Sequence, residues 1–282
     1  NEFFLSIVTR GNYDLVIVMT SLDEFIPEVL TEAKRHSITV AWNCDDDRRW
    51  ADYSCLWAPH YSFMVTTYRH IYEQNREKHP NLLLSQWGCT GFCDGSGVVK
   101  DIDISFVGWN YGERIKEVER LRKEFPGFQA FGRNVPPRLT LKEKWQRRIA
   151  WRLLGIRWED DALQLPDQNA VKSVWNRSRI CYTPLHGAGK TIQVKARVFD
   201  MGLSGSVMLC TKNPAIYEFY EPGKEFLEYE NMDECIEKAR YLLAHESERL
   251  SIAQKYYART KAEHLWQHRY QILFKELGLA NY

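Results

Sequence analysis

The feature that most constrains this chain is an alternation of short apolar runs, turns and amphipathic segments. Residues 15–19 form a continuous apolar run after Tyr13-Asp14, the pattern of a strand buried on both faces. Asp23 and Glu24 then open a predicted helix with Ile26, Val29, Leu30 and Ala33 at i, i+3, i+4 and i+7. Ile38–Trp42 is the next strand, and a right-handed βαβ crossover implies a parallel sheet. Strands at 61–66 and 82–84 follow, with a polar helix through Glu77 between them. The pattern restarts with a strand over 102–107, a helix over 113–124 and a strand over 128–131. Next come a helix at 169–177, a strand at 180–182, a helix start at 194–201 and a strand at 207–209. Helices over about 232–244, 246–262 and 264–277 close the chain. Gly88, Gly91, Gly95 and Gly97 crowd residues 88–100, which predicts an interdomain linker.

At 282 residues, two domains are expected at roughly 100–200 residues each. Apolar residues are 44% and charged residues 27%, which excludes a disordered chain. Lys plus Arg is 38 against 37 for Asp plus Glu, so the net charge of +1 lacks the overall footprint of a nucleic-acid binder. Aromatics at 13% fit large cores, with ring stacking on carbohydrate as the sharper reading. The seven cysteines are scattered, without a CxxC pair. Cys89 and Cys93 have no nearby His, so no metal site is expected. No apolar run reaches membrane-spanning length, and Asn1-Glu2 offers no basic leader. A cytoplasmic protein is expected, and a chain opening on Asn1 is expected to be part of a larger one.

Residues 137–160 are basic and Trp-rich. Arg138, Lys142, Lys144, Arg147, Arg148 and Arg152 are interleaved with Trp145, Trp151 and Trp158. The favoured reading is a solvated helix whose Trp residues face the core. The alternative is a peripheral membrane contact through 138–158.

In open α/β sheets ligands lie at the carboxyl ends of the strands, so the loops after strands carry the candidate chemistry. Loop 108–114, Gly-Trp-Asn-Tyr-Gly-Glu-Arg, follows a strand and opens a helix, which suits an anion, and the Arg114 guanidinium could reach a phosphate. Lys195 and Arg197 alternate with apolar residues, and Asp200 lies three residues beyond Arg197. The bland reading is an Arg197–Asp200 surface pair worth little. The sharper one is a diphosphate clamp with a carboxylate for ribose hydroxyls. Asp45-Asp46-Asp47 after the strand ending at Trp42 mimics a metal-binding DxD motif. That match is read as accidental, with Asp46 kept as an acceptor-side base. His60 is expected to be structural.

Two segments carry a family resemblance. Lys195-Ala-Arg-Val-Phe-Asp-Met-Gly-Leu-Ser-Gly-Ser-Val-Met-Leu-Cys with Tyr217–Glu225, and Asp103-Ile-Ser-Phe-Val-Gly108 with Tyr111 and Arg114, resemble the donor domain of GT-B glycosyltransferases, nearest the spore-maturation (CgeB-like) branch. Glu246–Arg249 and His264–Arg269 are similar to its closing helices. The resemblance covers about residues 100–270. It implies an α/β fold of two Rossmann-like domains facing a central cleft: 1–96 on the acceptor side, trimmed at its start; 97–263 for the nucleotide sugar; and 264–282 as a helix crossing back to the first domain.

The resemblance further implies transfer of a sugar from a nucleotide-diphosphate donor to a glycan, protein or lipid acceptor. Retention of configuration is expected, with no cofactor and no essential metal. Lys195, Arg197 and Asp46 become the catalytic candidates. Gly108, Tyr111, Arg114, Gly132, Thr183, His186, Gly187, Asp200 and Gly205 become the donor-binding ones. Asp200 stands where relatives hold ribose with a Glu, five residues before Gly205. A second Glu of many relatives is Ile192 here, so Lys195 and Arg197 are expected to take over its polar contacts. A sugar-nucleotide epimerase or hydrolase, and a non-catalytic nucleotide- or sugar-binding module of a larger protein, are the alternatives.

Overall fold

The computed structural model describes every residue except 20–23, 92–93, 136–141, 143–144, 147, 150–151, 153–166, 186–193 and 280–282. The chain divides into two compact units, one of Asn1–Trp87 with Gln267–Tyr282, the other of Gly88–Trp266.

The first unit is built on a parallel sheet in sequential order, β1 (Leu15–Val18), β2 (Ile38–Trp42), β3 (Phe63–Thr66) and β4 (Leu82–Leu84). Right-handed crossovers that always step the same way put the connecting helices on one face. These helices are α2 (Pro27–His36) and α4 (Arg69–Asn75), while α1 (Glu2–Gly11) packs on α2. Leu30, Ala41, Met64, Ile71 and Leu82 form the core there with Trp50, Tyr61 and Tyr68. β1 differs from expectation. It is the margin of the described sheet, its four residues are only half-buried, and Met19 beyond it is exposed. An all-apolar run does not distinguish a central strand from an edge strand. α2 begins later than Asp23-Glu24 suggested. Pro27 supplies a helical φ at its first position, and Ile26 caps it exposed while Val29, Leu30 and Ala33 are buried. Between β2 and β3 the backbone makes a short helix α3 (Asp46–Arg49), a π-helical turn (Trp50–Ser54) and two further short turns.

The second unit has a five-stranded parallel sheet in the order β6-β5-β7-β8-β9. These strands are β5 (Ile102–Val107), β6 (Phe128–Phe131), β7 (Ser178–Thr183), β8 (Val207–Thr211) and β9 (Leu227–Tyr229). β6 lies on one side of β5 and β7 on the other, so the winding reverses between β5 and β7. Ile104 and Phe106 of β5 pack with Val118 and Leu121 of α5 (Glu113–Glu124), with Ile180, Tyr182, Val207 and Leu209, and with Ile236 and Ala239 of α8 (Met232–Ala244). Asn231 caps α8 by accepting from the Asp233 and Glu234 amides. The other helices are α6 (Gln168–Arg177), α7 (Ala196–Gly202), α9 (Glu246–Glu263) and α10 (Trp266–Glu276). From α10, Arg269 donates to the Trp87 carbonyl and Tyr270 meets Trp42 edge-on, contacts within the first unit.

Gly95 and Lys100 of the expected linker are tied into the second unit. The Gly95 amide donates to the Leu203 carbonyl at 2.8 Å. Lys100 Nζ donates to the carbonyls of Asn176 (2.6 Å) and Ser204 (2.5 Å) and to Ser206 Oγ (3.2 Å). Burial lowers the Lys100 pKa to about 8. The glycines permit contact here: a Cβ on Gly95 would sit 2.4 Å from the Ser204 oxygen.

Candidate functional site

The reversal between β5 and β7 marks the place where an open α/β sheet leaves a crevice at its carboxyl edge. Gly108 follows β5 there. Its amide donates to the Phe131 carbonyl at the end of β6 (3.0 Å), and the Asn110 amide donates to the Arg133 carbonyl (2.9 Å). Gly132, at φ +124, packs backbone to backbone on this loop, and a Cβ on it would lie 2.2 Å from the Gly108 oxygen. Loops 108–112 and 132–135 therefore form one floor.

Arg197, in the first turn of α7, lays its guanidinium on that floor. Nη1 donates to the Val107 carbonyl at 3.2 Å, and a Cβ on Gly108 would be 2.9 Å from it. Arg114, in the first turn of α5, is buried, donates to the Trp109 carbonyl at 3.2 Å and lies over the Tyr111 ring at 4.5 Å. Burial first, then the charge of Arg114, lowers the Arg197 pKa to about 10, so it stays protonated at neutral pH. Among the described residues no carboxylate forms an ion pair with Arg197. Two like charges held together out of water carry a large electrostatic cost, and a bound anion removes it. Buried polar atoms lie on the same edge. Thr183 Oγ1, at the end of β7, and Asn110 Oδ1 have no hydrogen-bond partner among the described residues.

Asp200 is one turn further along α7. It does not pair with Arg197. Burial raises its pKa to about 6, opposed by the charge of Lys172 on α6. Lys195 precedes α7 as its half-buried cap residue.

Two expected site residues lie elsewhere. Gly205 makes the turn from α7 into β8 at φ +68, at the amino end of the sheet beside Lys100, so it shapes the fold and is remote from the carboxyl edge. Asp46 is 0% exposed in the first unit, accepting from Ser54 Oγ at 2.5 Å and Asn43 Nδ2 at 3.4 Å, and a group without surface cannot reach an acceptor. Its neighbours divide the acidic triplet: Asp45 is left-handed at φ +59, and Asp47 pairs with His70. His60 bonds Thr31 Oγ1 at 3.0 Å. His186, Gly187 and Ile192 fall outside the described residues.

Residues 137–275 match the glycosyl transferase-like family. Among solved structures, the chain is similar to the pneumococcal O-GlcNAc transferase GtfA in complex with UDP and GlcNAc, at 14% identity and TM-score 0.60, over 99% of this chain and 60% of that one. It is similar to TarM at 10% identity and TM-score 0.60, over 99% of this chain and 57% of that one. It is also similar to Anabaena Alr3699/HepE in complex with UDP and glucose, at 13% identity and TM-score 0.59, over 97% and 80%. By fold, the chain is GT-B-like. It spans about three fifths of the first two of these proteins, and no curated protein matches its sequence.

In this GT-B-like chain one residue beside the arginines was not singled out from sequence. Trp109 is 49% exposed, tilts on Tyr111 with centroids 5.2 Å apart, and is capped by Arg133 at 5.0 Å. Its signal was available: a Trp directly after the strand-end Gly108 has no core to enter.

Proposed function

We propose that the chain transfers a sugar from a nucleotide-diphosphate donor, with the second unit taking the donor and the first serving the acceptor. The observation that carries this reading is the pair Arg114 and Arg197, gathered at the sheet's switch point over a glycine floor. Support comes from structural neighbours bound to UDP and a sugar. On this reading the donor is a UDP sugar and the diphosphate lies on the two guanidiniums. As the glycosidic bond breaks, charge builds on the leaving phosphate, and preformed donors there stabilise the transition state more than the ground state. Arg197 and Arg114 supply that charge, Lys195 adds to it, and Thr183 Oγ1 has an unused donor to offer. Asp200 accepts from ribose hydroxyls. The arginines take the part a metal plays in other glycosyltransferases, and the transfer retains configuration at the anomeric carbon. The acceptor is a glycan, a protein or a lipid, and the branch is the CgeB-like one, on the motif around 195–210.

Calorimetric titration with UDP, UDP-glucose and UDP-GlcNAc, followed by donor turnover with and without acceptor sugars, tests this. Binding is expected for UDP and its sugars and not for uridine. No saturable binding of any nucleoside diphosphate would overturn the reading.

A further inference from the structure

Four side chains of the second unit form one stack at the carboxyl edge of β5. Arg133 lies over the Trp109 ring at 5.0 Å, Trp109 tilts on Tyr111 at 59° with centroids 5.2 Å apart, and Arg114 lies over Tyr111 at 4.5 Å. The order is cation, ring, ring, cation. Main-chain atoms hold both ends: Arg114 donates to the Trp109 carbonyl at 3.2 Å, and the Asn110 amide donates to the Arg133 carbonyl at 2.9 Å. Trp109 is nonetheless 49% exposed. An indole that is both held and half open is preorganised, because a flat partner covers it without first having to order it. Trp145 is more exposed still, at 69%, where a core position was expected. Trp151 and Trp158, with most of 138–158 and the membrane contact weighed for that segment, lie outside the described residues.

We infer that Trp109 is the platform on which the sugar ring of the donor stacks, and so a residue that sets specificity. This rests on the donor reading proposed above, in which Asp200 takes the ribose and the two guanidiniums take the diphosphate. Asp200 is one turn beyond Arg197 on α7, Arg197 meets the backbone at Val107 and Gly108, and Arg114 meets the carbonyl of Trp109. In a nucleotide sugar the groups run base, ribose, diphosphate, sugar. With ribose at Asp200 and phosphates on Arg197 and Arg114, the group that arrives at the Arg114 end is the sugar, and the base lies toward the other end. The chemistry of the ring agrees. A pyranose carries C–H groups on its faces and hydroxyls around its rim, so it suits an aromatic plane bordered by polar groups. Arg133 occupies one face of the indole, which leaves the opposite face for the sugar.

Calorimetric titration of the full chain with UDP, UDP-glucose and UDP-GlcNAc tests this, with Trp109→Ala and Trp109→Phe beside the wild type. Trp109→Ala is expected to leave UDP affinity unchanged and to weaken the better-bound UDP sugar about three- to tenfold. Trp109→Phe keeps a flat ring and restores part of the loss. Retained UDP affinity shows that the substitution has not disturbed the fold. Where the wild type binds UDP, unchanged affinity of Trp109→Ala for the UDP sugars overturns this inference alone. So does an equal loss for UDP and its sugars, which would place the indole under the base or beside the phosphates. A loss confined to a raised KM for the acceptor also overturns it, since the ring would then carry the acceptor. A wild type that binds no nucleoside diphosphate overturns the donor reading and this inference with it.

Discussion

Arg197 rests on Gly108 so closely that a β-carbon at position 108 would stand 2.9 Å from its Nη1. Side-chain-free backbone thus lies directly beneath a charge that faces no carboxylate among the described residues.

Removing either charge should be felt in donor binding. Arg197→Ala and Arg114→Ala are each expected to weaken UDP affinity by about ten- to a hundredfold, the range of charge-assisted hydrogen bonds of about 1.5–3 kcal/mol. Arg197→Lys keeps the charge and loses the planar fork, so its loss should be smaller. Isothermal titration with UDP reads all three. Equal affinities across the series contradict the clamp.

Gly132 should tolerate no side chain. Its φ of +124 and the 2.2 Å approach to the Gly108 oxygen combine strain with a backbone collision. Gly132→Ala is expected to cost on the order of 3 kcal/mol and to lower the melting temperature by several degrees. Thermal denaturation followed by circular dichroism measures it, and an unchanged transition would show that the two loops can separate freely.

Asp200 should reveal itself through pH. Burial raises its folded pKa to about 6, above the value of about 3.9 in an unfolded chain. Between those values the folded state holds a proton that the unfolded state has lost, so stability falls as pH rises through the window. Asp200→Asn removes that cost. It should be more stable than wild type by about 1–2 kcal/mol near neutral pH and indistinguishable near pH 3.5, with weaker UDP-sugar binding in exchange. Urea titrations at the two pH values check the sign.

Asp46 should behave as a structural residue. Asp46→Ala strips the acceptor from Ser54 and Asn43 in a fully buried place and is expected to destabilise the chain by about 1–3 kcal/mol. UDP affinity should stay unchanged. A variant that is fully stable yet inactive in transfer would restore the acceptor-side role.

Much of this architecture was legible in the sequence. The predicted strand over 128–131, the helices over 113–124 and 232–244 and the strand at 82–84 have the observed bounds, because apolar period and end signals agree there. Arg114, Arg197 and Gly108 were legible as well, since a Gly and a cation at a strand-to-helix junction have a local meaning. What failed depended on non-local packing. The order of strands decides that β1 lies at a margin. The approach of Leu203 and Ser204 decides that Gly95 of Gly-rich 88–100 is packed. The π-helical turn with Ser54 decides that Asp46 turns inward, and Gly205 lay at the wrong end of β8 for a reason only the sheet direction supplies. Trp109 went unrecognised, and Trp145, expected to face the core, is exposed, because exposure of a Trp is decided by its surroundings and not by its own pattern.

The seam between Gly108 and Gly132 has a consequence for variation. Because main-chain hydrogen bonds make it, joined by the Asn110 side chain on the Asn134 carbonyl, its shape does not depend on the side chains at 109, 111 and 133. Trp109, Tyr111 and Arg133 can be exchanged to suit another base or sugar while the footing beneath them keeps its shape, which makes those three positions the natural targets for redesigning donor preference.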